Sequence, residues 1–167
     1  MTRKIFFLIV PILVLLGLSF LGYKTYRVME KKKQARQAAR QLPKLDFEFL
    51  NPLVIRNGIP VLVIFFSPDC DHCQYMTKKI VEHHDEFKEV QLIMIAPATK
   101  AGIQQFANEY DLNKLKDVNL GMDTNFKFFK IFGSTMTPSF FVYNRQHVLV
   151  KSIQGETKLS NILSLIK

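Results

Sequence analysis

The chain has 167 residues, 48% of them hydrophobic and only two of them cysteines, and its formal net charge is +9. Low hydrophobicity with high net charge would predict disorder, but nearly half of these residues are apolar, which allows a packed core. Two cysteines are too few for a disulfide-stapled mini-protein or for a zinc site built from four cysteines. The length fits one domain with an accessory segment.

The excess positive charge is confined to the N-terminal quarter of the chain. Residues 1–44 hold ten Lys and Arg and one Glu, whereas residues 45–167 hold 13 basic and 13 acidic side chains. A protein that binds DNA or RNA is expected to present a basic folded surface. The balanced body therefore predicts no nucleic acid as a partner.

An uncharged apolar run of 18 residues occupies positions 5–22. As a helix it would span about 27 Å, close to the hydrocarbon thickness of a bilayer, which predicts a single-pass anchor over residues 1–22. A cleaved signal peptide has a similar pattern, but no convincing small-x-small cleavage site follows Gly17. Residues 23–44 are predicted to form a basic stalk, helical or extended, that ends at Pro43.

The body, residues 45–167, alternates strand patterns with helix patterns. The run VLVIFF at 61–66 is typical of a strand that is buried on both faces. Further strands are predicted at 90–96, 117–121, 139–143 and 148–153, and helices from near Cys70 with Asp69 as N-cap and at 99–110, 125–132 and 157–166. The phenylalanines at 126, 128, 129 and 132 are predicted to face the core. This order predicts an α/β fold with a mixed sheet flanked by helices.

Two cysteines, Cys70 and Cys73, stand at the junction between the first of these strands and the helix that follows. The first turn of a helix presents unpaired N–H groups and the positive end of the dipole, which favour a thiolate at Cys70. Cys73 lies one turn further on, where it can attack a mixed disulfide formed by Cys70. His72, when protonated, adds positive charge near the Cys70 sulfur, whereas Asp69 and Asp71 oppose it. Cys70 is therefore the predicted nucleophile and Cys73 the predicted resolving thiol.

The segment VLVIFFSPDCDHC, together with Thr137-Pro138 before the strand SFFVY, resembles the thioredoxin superfamily. The long stretch between the second strand and Thr137 resembles the membrane-anchored, TlpA-type branch of that superfamily. The resemblance covers residues 53–167 and implies a thiol-disulfide oxidoreductase that needs no dissociable cofactor. It also implies that Pro138 is cis and faces the cysteine pair, and that Thr137 docks an extended substrate segment.

Two positions depart from the family pattern. Thioredoxins carry a buried acid in the strand before the motif, where this chain has Ile64, and a Trp directly before the first cysteine, where it has Asp69. These departures argue against fast, general disulfide reduction in the manner of thioredoxin. The His72 position is similar to that of disulfide-forming oxidases and isomerases, so the direction of electron flow is left open.

The same resemblance implies a location and partners. An anchored protein of this type would serve exported proteins, which implies the bacterial inner membrane with the domain on the periplasmic or extracytoplasmic side. The count of Lys and Arg beside the anchor points instead to the cytoplasm. The implied partners are extracytoplasmic protein thiols or disulfides and a membrane redox donor or acceptor.

The alternative function is a copper-binding chaperone or sensor on the same fold. Cys70, Cys73 and His72 could supply up to three ligands to a metal. His83 and His84 would lie about 20 Å away along a straight helix and could not join them. A peroxidase function has less support than copper binding, because peroxiredoxins place their cysteine in a Pro-Thr-Cys context that this chain lacks. The leading prediction therefore includes no metal site.

Overall fold

The computed structural model describes the backbone of residues 2–166 and the side chains of residues 12–166. One helix, α1 (Thr2–Ala38), includes both the predicted anchor and most of the predicted stalk. Its segment Ile12–Ala38 is long and apolar enough to cross a membrane by length and composition, while the side chains of residues 5–11 lie outside the described ones. The helix ends before Pro43, because the backbone beyond it pairs with the body: Leu42 N–H donates to the His147 carbonyl at 2.9 Å.

In the described part of the chain, six strands form one mixed sheet in the order β1-β4-β3-β2-β5-β6. They are β1 (Glu48–Phe49), β2 (Val61–Phe65), β3 (Gln91–Ala96), β4 (Val118–Met122), β5 (Ser139–Tyr143) and β6 (Leu149–Gln154). Strands β2, β3 and β4 are parallel, whereas β1, β5 and β6 each pair antiparallel with their neighbours. The five predicted strands are confirmed to within one residue at each end. Strand β1 was not predicted, because two residues are too short to show a periodic pattern.

Within residues 2–166, four further α-helices cover the sheet: α2 (Asp71–Glu82), α3 (Lys100–Glu109), α4 (Lys127–Phe132) and α5 (Leu159–Ile166). Each matches a predicted helix, although α4 and α5 begin two residues later than expected. Alternate residues of β2 lie on opposite faces of the sheet. Leu62 and Ile64 pack in the cluster that includes buried residues of α2, α3 and α5. Val61 and Val63 pack on the opposite face with the aromatic rings of α4. The predicted α/β fold, a mixed sheet flanked by helices with an apolar N-terminal helix, is confirmed.

The end of α1 packs against the body and is not a free tether. Ala35 and Ala39 are buried, and the Tyr143 hydroxyl donates to the Ala39 carbonyl at 2.9 Å. Burial raises the pKa of Tyr143, so the hydroxyl keeps the proton that it donates. At the end of α4, Gly133 has a φ of +67°, and a Cβ added there would lie 2.8 Å from the Lys32 carbonyl oxygen. The helix that carries the predicted anchor therefore contacts α4 directly, backbone against backbone.

This contact predicts the outcome of Gly133→Ala. The left-handed φ alone costs an alanine about 1–2 kcal/mol, and the overlap with the Lys32 carbonyl should add about 1 kcal/mol or more. Gly58→Ala is the matched control, because Gly58 also has a left-handed φ, +79°, but has open space around it. Urea denaturation of the full chain in detergent, followed by far-UV circular dichroism, measures both losses of stability. Equal losses would contradict close packing of α1 on α4.

Candidate active site

Cys70 lies at the N-terminus of α2, in the short loop that follows β2. Its backbone N–H donates to the Ser67 carbonyl at 3.2 Å, and its sulfur accepts from the Cys73 N–H at 3.3 Å. Cys70 itself is therefore the N-cap of α2, and the prediction of Asp69 as N-cap is wrong. The reason is that the sulfur already accepts from the first turn, which leaves the Asp69 side chain exposed. The partly exposed Cys70 sulfur is thus placed at the positive end of the helix.

Cys73 differs from Cys70 in its surroundings. It is only 1% exposed and belongs to the apolar cluster that includes Ile64. Burial, with a smaller contribution from the hydrogen bond to Cys70, raises the pKa of Cys73 to about 12. Cys73 therefore holds its proton at neutral pH, because a thiolate is poorly solvated in an apolar environment. Of the two sulfurs, Cys70 has access to solvent and Cys73 lies behind it.

The segment Thr137-Pro138 faces the cysteine pair from a neighbouring strand. Phe65, the last residue of β2, pairs with Ser139, the first residue of β5. This register brings the loop before β5 beside the loop after β2. The Cys70 sulfur lies 3.8 Å from the Thr137 carbonyl oxygen, and the Thr137-Pro138 peptide bond is cis. Two segments 67 residues apart in sequence thus share one site.

Three polar side chains hold the loop before Pro138, and sequence reasoning missed them. The Ser139 hydroxyl donates to the Met136 carbonyl at 2.6 Å and lies 3.0 Å from the Ser134 hydroxyl. The Gln154 amide donates to the same Ser134 oxygen at 3.1 Å. Ser134 and Ser139 are buried, so this network replaces the water that their hydroxyls would otherwise bind. The available signal was that Ser134 and Ser139 stand on either side of Thr137-Pro138 in the sequence.

His72 points away from the core, towards a residue that the sequence did not single out. Its Nδ1 donates to the Glu156 carboxylate at 2.5 Å, across 84 residues. The side chains remain 69% and 43% exposed, respectively. Glu156 follows β6, in the loop that leads to α5, so a local motif could not have revealed it. The structure thus brings Cys70, Cys73, Thr137 and Pro138 together and adds the pair His72–Glu156 at their edge.

The copper-binding alternative gains no support from this geometry. In the part of the chain that the structure describes, no group of three His, Cys, Asp or Glu side chains is placed to hold a metal ion. His83 follows the end of α2, where its ring lies against the Lys79 carbonyl at 3.0 Å. His84 is partly exposed, and its Nδ1 lies 3.2 Å from the Val81 carbonyl oxygen. Both are at the far end of α2 from Cys70, as expected from their spacing.

The domain that contains this site matches a known protein family. The family model described as a thioredoxin-like domain matches residues 53–167, which is more than half of the chain. The chain belongs to the thioredoxin-like family. The predicted resemblance is therefore confirmed, and the matched segment contains both the cysteine pair and Thr137-Pro138. No curated protein matches this sequence.

Solved structures share this thioredoxin-like fold at low sequence identity. A thiol-disulfide isomerase from Corynebacterium glutamicum is 21% identical, with a TM-score of 0.60 over 77% of this chain and 97% of its own. A secreted Mycobacterium tuberculosis disulfide oxidoreductase, homologous to Escherichia coli DsbE, is 16% identical, with a TM-score of 0.55 over 66% of this chain and 81% of its own. A peroxiredoxin-like protein from Aquifex aeolicus is 11% identical, with a TM-score of 0.60 over 77% and 84%. These likenesses concern the fold, and the chemistry has to be argued from the site.

Proposed function

We propose that this protein is a membrane-anchored thiol-disulfide oxidoreductase in which Cys70 is the nucleophile and Cys73 the resolving thiol. The observation that carries the proposal is the position of the Cys70 sulfur. It caps α2, accepts the Cys73 N–H at 3.3 Å and lies 3.8 Å from the Thr137 carbonyl. A sulfur that is partly exposed at a helix N-terminus is suited to attack a client disulfide. The buried Cys73 is suited to react later, once Cys70 has formed a mixed disulfide with the client.

The proposed exchange has two steps. The Cys70 thiolate attacks one sulfur of a client disulfide, so that a bond forms between Cys70 and the client, and the other client sulfur leaves and takes up a proton. Cys73 then loses its proton and attacks the Cys70 sulfur. The Cys70–Cys73 disulfide forms and the client leaves as a dithiol, having gained two electrons and two protons. The reverse sequence oxidises a client dithiol, and neither direction needs a dissociable cofactor.

The surroundings of Cys70 suit a protein client. Thr137 and Pro138 flank the sulfur in an irregular segment just before β5, where the backbone of an extended client can lie alongside Thr137. His72, two residues after Cys70, adds positive charge near the sulfur when it is protonated. The proposed roles are therefore client docking for Thr137-Pro138 and adjustment of the Cys70 thiolate for His72.

The test uses two serine variants of the full chain. Cys70→Ser should lose exchange with a protein disulfide, and Cys73→Ser should retain the client as a mixed disulfide. A Cys70→Ser protein that exchanges disulfides as fast as the parent would exclude this function.

We also propose that α1 crosses the bacterial inner membrane once and places the domain on the extracytoplasmic side. Two observations support this: Ile12–Ala38 is apolar enough to span a bilayer, and a secreted disulfide oxidoreductase shares the fold. The partners would then be exported protein thiols or disulfides and a redox donor or acceptor in the membrane. A translocated domain of this size can override the Lys and Arg bias beside the anchor.

Reporter fusions after Lys167 are expected to show this orientation. Alkaline phosphatase folds and is active only outside the cytoplasm, because it needs disulfides, so that fusion should be active. The matching green fluorescent protein fusion should be dark after export through the same membrane. Fluorescence without phosphatase activity would place the domain in the cytoplasm and exclude the proposed clients.

A further inference from the structure

We propose that Glu156 is a positioning residue that controls how much of the His72 charge reaches the Cys70 sulfur. The inference rests on the proposed exchange function and deepens it. Glu156 contacts His72 and does not itself carry out a step of the exchange. Its effect would appear in the equilibrium between the dithiol and disulfide forms of the protein.

The fold fixes Glu156 beside the motif through the residue that precedes it. Gly155 has a left-handed φ of +84°, and its N–H donates to the Pro138 carbonyl at 2.8 Å. The loop between β6 and α5 is thereby attached to the same segment that faces Cys70. A side chain at position 156 consequently stands over the start of α2, where it meets the ring of His72. The pairing follows from the backbone path as well as from the attraction of opposite charges.

The charges around this pair show what Glu156 can change. A protonated His72 and an ionised Glu156 together carry no net charge, so their field at a distance is weak. The motif itself adds two exposed carboxylates, Asp69 and Asp71. Two lysines lie in the same surface cleft as Glu156, but Lys79 is already paired with Glu82 at 2.7 Å, and Lys158 is exposed on the α5 side of the loop. The His72 imidazole is thus the group that Glu156 contacts.

Removal of the carboxylate should release the imidazole. In Glu156→Gln the ring of His72 is no longer held at the carboxylate and can turn towards Cys70, which brings its positive charge, when it is protonated, closer to the sulfur. The reduced protein then gains stability, because an uncompensated positive charge near Cys70 favours the thiolate. Stabilising the reduced form makes the protein a stronger oxidant. The His72–Glu156 pair of the parent protein would therefore keep the reduction potential of the Cys70–Cys73 couple lower than in Glu156→Gln.

The experiment measures the exchange equilibrium with glutathione at about pH 6, below the ordinary pKa of a free imidazole. The reduced protein passes two electrons and two protons to glutathione disulfide: one S–S bond breaks in glutathione disulfide, the Cys70–Cys73 bond forms, and two glutathione thiols leave. Full-length protein in detergent is equilibrated with mixtures of the two glutathione forms and quenched with acid. Thiols are then tagged with a maleimide and counted by mass spectrometry.

We expect Glu156→Gln to shift the equilibrium about threefold or more towards the dithiol protein. In a His72→Gln background the same change removes only the charge of the carboxylate, so its effect should be clearly smaller, because there is no imidazole ring to turn towards Cys70. Glu86→Gln is the control, since it removes an exposed carboxylate beyond the far end of α2 and should leave the equilibrium constant unchanged.

Two results would overturn the inference while leaving the proposed function intact. One is an exchange constant in Glu156→Gln equal to that of the parent. The other is a shift of the same size in the parent and in the His72→Gln background, because Glu156 would then act on Cys70 without the imidazole. A parent protein that forms no Cys70–Cys73 disulfide in glutathione would instead exclude the proposed function, and this inference with it.

Discussion

Cys73→Ser is expected to accumulate a mixed disulfide between Cys70 and its client, whereas Cys70→Ser is expected to exchange disulfides only at the background rate. Burial raises the pKa of Cys73 to about 12, so Cys73 remains a thiol while Cys70 attacks. A serine hydroxyl in place of the Cys70 thiol stays un-ionised and cannot replace the thiolate. With serine in place of Cys73, the intermediate forms but nothing in the protein releases it.

Both variants can be measured with insulin as the protein disulfide. Turbidity from the released insulin chain gives the exchange rate, and non-reducing gels with mass spectrometry identify the trapped complex. Serine is close in size to cysteine, so far-UV circular dichroism should show that both variants remain folded. A trapped complex linked through Cys73, or equal rates in the parent and Cys70→Ser, would contradict the assignment of roles.

The parts of this protein that local patterns predicted are those in which neighbouring residues carry the signal. The run that became β2 is apolar at every position, which is why a strand with two buried faces could be predicted there. The transition from β2 to α2 is also encoded by neighbouring residues. The sequence pattern alone therefore predicted that Cys70 and Cys73 lie at a helix N-terminus. The family resemblance then added Thr137-Pro138, which lies far away in sequence.

The parts that the sequence did not predict depend on contacts between distant segments. His72 meets Glu156 because the loop after β6 is bonded to Pro138. Ser134, Ser139 and Gln154 form a network because β5 and β6 are paired in one register. Neither arrangement produces a periodic pattern in the sequence. The packing of α1 on Gly133 could not be predicted for the same reason. A basic stalk that packs on the domain and one that does not have the same local sequence.

The predicted core face of α4 was partly wrong, and the error leads to a second prediction. Phe128 and Phe132 are fully buried, but Phe126 is 73% exposed. Phe126 precedes the helix with a φ of +52°, because both oxygens of the buried Asp123 accept the first N–H groups of α4, from Lys127 at 2.7 Å and Phe128 at 3.0 Å. Phe126 is thereby left outside the helix.

Phe128→Ala is expected to cost about 3–5 kcal/mol of unfolding free energy. The ring of Phe128 stacks on Phe65 of β2 with centroids 4.2 Å apart and on Phe132 with centroids 4.3 Å apart. Its removal leaves a cavity between α4 and the sheet that these neighbours cannot fill without moving. Because a domain of this size is stable by about 5–15 kcal/mol in total, the loss should be visible as a large drop in the urea midpoint.

Phe126→Ala is the matched control, and its unfolding free energy should change by no more than about 0.5 kcal/mol. The comparison also separates stability from chemistry, because Phe128 and Cys73 lie in different apolar clusters, on opposite faces of the sheet. The folded fraction of Phe128→Ala should therefore exchange disulfides at the rate of the parent. Equal stability of the two alanine variants would contradict the packing of α4. A slow but fully folded Phe128→Ala would show that the aromatic cluster supports the cysteine pair through the sheet.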